Sequence, residues 1–416
     1  MAINASAARS STGTSTRWVQ LVLGLIAMMA ISSPQYVWTL FIRPFQDQLH
    51  VSLPVIQWTL TILIVLQTWC SPIQGWLVDK FGPRLLVAAG GLLSGLGWIA
   101  ASQATSLWGV FMTYGFLCGI GTGIVYIGVI GQMVRWFPDK RGLAAGLAAA
   151  GYGFGAILTN YPIYNMLKVS THQHTLVIFG FIFAAIGILA ALPMRSPDAS
   201  DNLPTPRIAT SKRDYEPMEM IKTPVFWLMF FMFSLMATSG LVVVSNFAPF
   251  AREFGVAEMT VLGTTALPLA LTVDRITNGL TRPFFGWVSD HIGRENTMGL
   301  AFILEGIAIA LFLHYRTDPL MFVILSGLVF FGWGEIFSLF PSTLTDTFGT
   351  KNATTNYGLL YMAQGVGAVL GGPTAAFLHD RAGSWVPVFS IVIALDILTG
   401  LLALFVLKRM RANFMK

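Results

Sequence analysis

Apolar stretches of roughly twenty residues, separated by short polar turns, recur along the whole chain. The pattern predicts spans at 18–41, 54–77, 85–102, 107–134, 142–165 and 174–193. Six more follow at 225–249, 258–286, 297–315, 319–343, 356–378 and 385–407. Such lengths suit α-helices crossing a hydrocarbon layer about 30 Å thick. The expected fold is all-α and polytopic: twelve transmembrane helices in two six-helix bundles, over 1–194 and 224–416. Between them, 195–223 contains Pro197, Pro204, Pro206 and several charges, and reads as a loosely ordered linker. The first apolar stretch, Trp18 to Phe41, exceeds a signal-peptide core and has no cleavage pattern after it, so it reads as a span.

Composition agrees with this pattern. Of 416 residues, 55% are apolar and 11% charged, against about 25% charged in soluble domains. So little charge would barely cover a soluble protein of this size, which excludes a soluble enzyme and a disordered regulator. Forty-one glycines, 31 phenylalanines and 12 tryptophans suit helices that pack closely and face lipid. The pI near 9.4 would fit a nucleic-acid binder if the basic residues clustered. They segregate by loop instead. Only Arg43, Lys168, Arg252, Arg316 and Arg381 fall on one side, and Arg275 and Arg282 fall inside a span; the other basic residues share the opposite side. That bias predicts a multi-pass protein of the inner (plasma) membrane with both termini cytoplasmic. It removes the nucleic-acid reading. Cys70 and Cys118 lie in apolar runs and read as buried structural thiols; no metal or cofactor motif is expected.

An internal repeat sharpens the class. Gly75-Trp76-Leu77-Val78-Asp79-Lys80-Phe81-Gly82 follows the second span, and Gly286-Trp287-Val288-Ser289-Asp290-His291-Ile292-Gly293 follows the eighth. The shared G-W-x-x-D-x-x-G sits 211 residues apart, at equivalent places in the two halves, as an ancient duplication would leave it. A glycine there lets helix ends approach, and the aspartate can pair with nearby bases such as Arg84 and Arg294. Weak pairs of this kind suit a gate.

This repeat resembles the loop signature of the major facilitator superfamily. The resemblance implies two pseudo-symmetric bundles that rock about a central site, giving alternating access. Three further stretches narrow it: Arg135-Trp136-Phe137-Pro138-Asp139-Lys140-Arg141-Gly142 with Gly151-Tyr152-Gly153-Phe154-Gly155; Asn278-x-x-x-Arg282-Pro283-Phe284-x-Gly286; and Trp333-Gly334 with Phe340-Pro341-Ser342. Together they resemble the oxalate/formate antiporter family, relatives of the monocarboxylate transporters. The resemblance implies that Arg282 is the substrate arginine, that Gln35 and Tyr36 form the polar-aromatic pair of the first span, and that Tyr126, Tyr152, Trp333 and Tyr361 form an aromatic cage. One position departs: the family's lysine in the eleventh span is Gln364 here. A cage tyrosine of the tenth span is replaced by Phe337.

Charges inside the bilayer are costly, at least about 2.5–3.5 kcal/mol each on insertion scales, so each needs a role. Asp274, Asn278 and Arg282 recur every four residues and Arg275 lies within the same arc, predicting one polar stripe facing the cavity between the halves. An arginine there offers a planar fork for a carboxylate; its bland role is an ion pair with Asp274 or Glu335. Arg275 is a second candidate for substrate contact or for such a pair. Glu335 and Asp274 are candidate proton-coupling groups. Glu305 and Asp396 read as interhelical hydrogen-bond partners. One cation suits a monocarboxylate such as formate, lactate or pyruvate; two suit oxalate, and Arg275 keeps that alternative open. Exchange and proton symport both remain possible. The expectation is a non-enzymatic secondary carrier of small carboxylates, monomeric, in the lipid bilayer. A non-transporting membrane sensor is the rival class, and no output domain supports it.

Overall fold

The computed structural model describes residues 3–416 and is helical nearly throughout. In chain order the principal helices are α1 (Ile3–Ala30), α2 (Trp38–Leu49), α3 (Leu53–Trp69), α4 (Ser71–Phe81), α5 (Pro83–Ala101), α6 (Cys118–Trp136), α7 (Arg141–Val169) and α8 (His172–Ala191). There follow α9 (Pro224–Glu253), α10 (Ala266–Ile292), α11 (Arg294–His314), α12 (Pro319–Trp333), α13 (Ile336–Phe348), α14 (Ala353–Val369), α15 (Ala375–Ala382) and α16 (Trp385–Leu401). Their starts follow from local chemistry. Thr171, Thr223, Asp318 and Ser384 cap first turns through side-chain oxygens, and Pro83, Pro224 and Pro319 open helices where no N–H is needed. The last glycine of each repeat, Gly82 and Gly293, ends its helix at φ 84° and 94°. A side chain would strain that backbone, which explains why the repeat closes on glycine.

Among the described residues, nine helices are long and apolar enough to cross a membrane, and the pair α3–α4, bent by 50°, makes a tenth. The two predicted spans outside that count are α10 and the α14–α15 stretch. They fall short because they carry the polar residues: Asp274, Arg275 and Arg282 on one, Thr354, Thr355, Asn356 and Gln364 on the other.

Several spans are broken where the pattern predicts continuity. The first is interrupted after Ala30, continues as a single helical turn over Ser33–Tyr36, and is interrupted again at Val37 before Trp38. The second bends at Cys70, just before Pro72. The eighth begins later than predicted: Thr260–Val261 and Thr264–Thr265 form a small hairpin, with Leu262 and Gly263 at positive φ in its turn, before α10 starts. The tenth breaks at Gly334–Glu335. Hydropathy averaged over a twenty-residue window does not register such breaks, because a few polar residues, glycines or prolines are outweighed by the apolar residues around them.

The chain divides into two compact units. The first holds residues up to Asp139, Leu147–Pro206 and Thr350–Tyr361; the second holds Lys140–Gly146, Arg207–Gly349 and Met362–Lys416. In the first, Trp38, Phe41, Phe45, Trp98, Tyr114 and Phe183 form the core. In the second, Phe247, Phe250, Phe312, Phe322 and Phe389 stack in a phenylalanine cluster. Large apolar side chains also stand on the outside: Trp108 is 70% exposed, Ile73 66% and Leu158 64%. Lipid, not water, accounts for such a surface.

The linker is more ordered than its composition predicts. Arg195 pairs with Asp201 at 2.5 Å and lies over the Trp136 ring, whose Nε1 donates to Arg195 O at 2.9 Å. The pairing holds the Asp201 carboxyl below its ordinary range. Farther on, Ser211 N donates to Asp346 O and Tyr215 N to Phe348 O, both at 2.8 Å, and the Tyr215 ring packs on Phe348 and Phe414. The linker thus satisfies carbonyls at the end of α13. The thiols also differ from expectation: Cys118 is buried and donates to Ser94 O, whereas Cys70, at the bend, is only half-buried.

Candidate functional site

The first unit gathers most of the predicted aromatic residues. Gln35 and Tyr36 sit in the broken stretch after α1, Tyr126 on α6, Tyr152 on α7 and Tyr361 on α14. Tyr126 stacks on Tyr361 with ring centroids 4.9 Å apart and meets Tyr152 edge-on at 5.4 Å; Tyr36 packs on Tyr152 at 5.4 Å. The Tyr152 hydroxyl donates to Gln35 Oε1 at 2.5 Å. Gln67 Nε2 donates to the Tyr361 hydroxyl at 3.4 Å. Residues up to 326 positions apart in sequence therefore form one cluster of ring faces and hydroxyls. Such a cluster offers flat apolar walls with hydrogen-bond donors at their rims.

Trp333, predicted with these tyrosines, lies in the second unit at the end of α12. Its Nε1 donates to Met236 O at 3.1 Å, and its ring meets Phe337 edge-on at 5.8 Å. Phe337 is also the shelf under Arg282: the guanidinium carbon lies 4.6 Å from that ring. Arg282 is 2% exposed, and its Nη2 donates to Asn278 Oδ1 at 2.9 Å. The i, i+4 spacing on α10 makes that bond possible. A guanidinium held flat on a ring and oriented by one amide is pre-organised to receive a planar anion. Gln364 is buried, and its Oε1 has no hydrogen-bond partner among the described residues.

The polar stripe of α10 is only partly realised. Asp274 and Arg282 are buried and Asn278 half-buried, but Arg275 is exposed. Arg275 and Arg282 point in nearly the same direction, yet seven residues place them about 10 Å apart along the axis, and the face at the level of Arg275 is exposed. Asp274 lies within electrostatic reach of Arg275 and beside Ser326 of α12. Glu335 is fully buried at the break between α12 and α13. Glu305 and Asp396 are fully buried too, but neither has a hydrogen-bond partner among the described residues, contrary to the expectation above. The Glu305 stem packs against Gly332, where a Cβ would come 2.7 Å from Glu305 Cβ.

The two repeats adopt one design. Asp79 accepts from Thr355 N at 2.8 Å and Thr355 Oγ1 at 2.6 Å, so it caps the first turn of α14. Asp290 accepts from Gly142 N at 3.0 Å and Leu143 N at 2.9 Å, capping the first turn of α7. The positive end of each helix dipole thus meets a carboxylate. The leading glycines make room: a Cβ on Gly75 would come 2.5 Å from Thr354 O, and one on Gly286 would come 2.1 Å from Gly142 O. Arg294 pairs with Asp290 at 2.7 Å, as its spacing suggests. Asp79 pairs with Arg135 rather than with Arg84, which is exposed. Arg135 also donates to Thr350 O and Lys351 O. In the second unit, Asp346 accepts from Arg294 Nε at 2.8 Å and from Arg141.

Sequence reading missed Gln67, Arg135, Arg141, Asp346 and the shelf role of Phe337. A signal existed for three of them. Arg135 and Arg141 frame the quoted loop motif, and Asp346 stands 211 residues after Arg135, at the repeat offset.

Both the repeated caps and the helical architecture define a class. The Major Facilitator Superfamily profile matches residues 21–273 and 262–413, and the chain belongs to that family. The chain is 36% identical over 405 residues to the oxalate:formate antiporter of Oxalobacter formigenes, covering 96% of this chain and 94% of the relative. It is 27% identical over 365 residues to monocarboxylate transporter 13 of Rattus norvegicus, covering 84% and 78%. Among solved structures, the major facilitator transporter FucP in its outward conformation shares the fold, with a TM-score of 0.69 at 16% identity over 92% of this chain and 98% of FucP.

Proposed function

We propose that the chain is a secondary active carrier of small carboxylate anions, with monocarboxylates such as formate, lactate or pyruvate as its preferred cargo. The observation that carries this reading is Arg282: a buried guanidinium inside an apolar unit, oriented by Asn278 and seated on Phe337. Its planar fork suits a carboxylate better than a sugar or an organic cation. Gln364, a neutral amide where related carriers have a lysine, leaves one buried cation for the anion and favours a single negative charge. The tyrosine cluster of the first unit, with Gln35, offers flat faces and hydroxyls that by themselves suit small, flat substrates.

The coupled motion uses the helix caps. In this reading the first turns of α7 and α14, held by Asp290 and Asp79, are released when the cytoplasmic face opens and recaptured when it closes. A few charge-assisted hydrogen bonds exchanged for water make a barrier low enough to cross repeatedly. We place the protein in the plasma membrane as a monomer, with both termini in the cytoplasm.

Oxalate:formate exchange is the second reading, favoured by the 36% identity to an antiporter of that pair. Arg275 would then supply the second positive charge. Counterflow in proteoliposomes with labelled formate, lactate, pyruvate and oxalate separates the two. Faster exchange of monocarboxylates supports the first reading, and Gln364→Lys should then raise oxalate binding several-fold. Exchange confined to oxalate and formate refutes the monocarboxylate preference, and unchanged oxalate binding in Gln364→Lys refutes the one-cation argument.

A further inference from the structure

The end of α13 is gripped from two sides by segments far apart in sequence. A helix leaves its last four carbonyls without partners of its own, and the linker supplies donors to two of them: Ser211 N to Asp346 O and Tyr215 N to Phe348 O. Between those bonds the linker backbone lies directly on Gly349. A Cβ there would come 2.2 Å from Asp214 Oδ1 and 2.8 Å from Asp214 Cα, and Gly349 holds φ 88°. The segment that continues the last helix, Lys408–Phe414, takes the other side. Arg411 is buried; its Nε donates to Thr347 Oγ1 at 2.6 Å, and its guanidinium pairs with Glu295 of α11. The Phe414 ring lies 5.1 Å from Tyr215 and 5.4 Å from Phe348, so three rings close on one another. Asp346, Thr347, Phe348 and Gly349 are thus each held by the linker or by the last segment.

Linker residues 211–223 also have order of their own. Arg213 pairs with Glu219 and lies over the Tyr215 ring at 4.5 Å, while Glu216 N donates to Glu219 Oε2 at 3.1 Å. Ser211 Oγ donates to Arg213 O and accepts from Arg213 N. A segment folded on itself in this way docks and leaves as one piece.

Asp346 joins this seat to a helix cap. Its backbone carbonyl belongs to the linker, while its carboxylate accepts from Arg294 Nε at 2.8 Å and from Arg141. Arg411 lies within electrostatic reach of the same carboxylate. Arg294 in turn pairs with Asp290, whose two oxygens hold Gly142 N and Leu143 N in the first turn of α7. That turn has little slack, since a Cβ on Gly142 would come 2.3 Å from Gly286 O and 2.7 Å from Arg294 Nη1. Every residue of this path lies in the second unit. Hydrogen bonds weaken steeply once distance and angle leave their narrow range, so a shift in the last turn of α13 reaches the cap through Arg294 and Arg141.

We propose that linker residues 211–223 and the Lys408–Phe414 segment form a strap that governs the α7 cap. Seated, the strap holds Asp346 where Arg294 and Arg141 meet it; unseated, it frees the end of α13 and the cap loosens. The strap therefore sets how readily the second unit releases α7 without touching Arg282. Its part in transport rests on the reading of the caps as the contacts released when the protein opens.

Hydrogen exchange followed by mass spectrometry on the full-length chain in lipid nanodiscs tests the coupling, because exchange reports local opening and needs no substrate. Tyr215→Ala and Phe414→Ala each remove one ring of the seat and leave Asp346, Arg294, Arg141 and Asp290 in place. In both, peptides over 207–223 should exchange at least about fivefold faster, and peptides over 141–147 should follow, with α9 and α16 unchanged. Phe414→Tyr, which keeps the ring, should match the wild type. A faster strap with 141–147 unchanged overturns the coupling, and a strap unchanged in both variants overturns the seat. Should either variant loosen α9 and α16 as well, Ser211→Pro, which deletes the N–H donated to Asp346 O, decides by the same comparison. Counterflow of labelled formate and lactate in proteoliposomes then examines the cap itself. Variants with a loosened cap should raise turnover about threefold or more at unchanged KM. Turnover unchanged or lowered with the cap loosened refutes the cap's part in transport and leaves the strap's hold on α7 standing.

Discussion

Gly240 on α9 should be intolerant of even one methyl group, and the reason can be worked out atom by atom. A Cβ built there would stand 1.9 Å from Trp333 Nε1, 2.0 Å from Cε2 and 2.1 Å from Cδ1. Ordinary contact needs about 3.5–4.0 Å, so the indole must retreat by roughly 1.5 Å. It is a rigid ring with little room, because its far side meets Phe337. Retreat breaks the Nε1 bond to Met236 O, now 3.1 Å long. A buried donor left unpaired costs about 1–3 kcal/mol, and overpacking strain adds about 1–3 kcal/mol. Gly240→Ala should therefore destabilise the second unit by ~2–6 kcal/mol and push Phe337 against Arg282. The assay is the melting temperature of detergent-solubilised protein, with counterflow alongside it. Truncating the ring should relieve the strain: Gly240→Ala with Trp333→Leu should melt above Gly240→Ala alone. A Gly240→Ala protein that melts and exchanges like the wild type would refute the packing argument.

Other consequences are open to measurement. Arg282→Lys keeps the charge but loses the planar fork and the seat on Phe337, so the KM for carboxylate exchange should rise at least tenfold with the fold intact; unchanged KM would exclude bidentate binding there. Asp290→Asn removes a buried carboxylate that Arg294 and the first turn of α7 share, and should cost about 3 kcal/mol, read as a fall in melting temperature beyond that of Arg84→Gln. His379 pairs with Glu253 at 2.8 Å and stacks on Trp385, and the carboxylate raises the imidazole above its ordinary range. A raised folded value means the stabilisation is complete below about pH 6.5 and is lost as pH rises through that folded value. The wild type should thus lose melting temperature relative to His379→Gln as pH rises above about 6.5; parallel profiles would show that the pair contributes nothing.

Particular residues show how far one dimension reaches. The run of apolar helices and the repeated G-W-x-x-D-x-x-G were readable because each depends on neighbours within twenty residues. The spacing of Asn278 and Arg282 foretold their hydrogen bond for the same reason, since a helix turns i onto i+4. The break at Gly334–Glu335 was not readable, and neither was the hairpin ahead of α10; both depend on which element lies alongside. Arg84 looked like the natural partner of Asp79 by proximity in sequence, yet Arg135 takes that role because α6 passes beside α4. Glu305 and Asp396 looked like ordinary hydrogen-bonded pairs, and only packing against Gly332 and Gly306 placed them with Glu335.

Local periodicity by itself determined the helical, multi-pass class and the stock of charges within apolar stretches, because burial in lipid constrains every twenty-residue window separately. Which aromatic rings meet, which cation lies on Phe337 and which carboxyls share one dry space was decided by the tertiary structure alone. Those contacts join residues hundreds of positions apart, and their energies depend on distances of a few ångströms that no window along the chain contains.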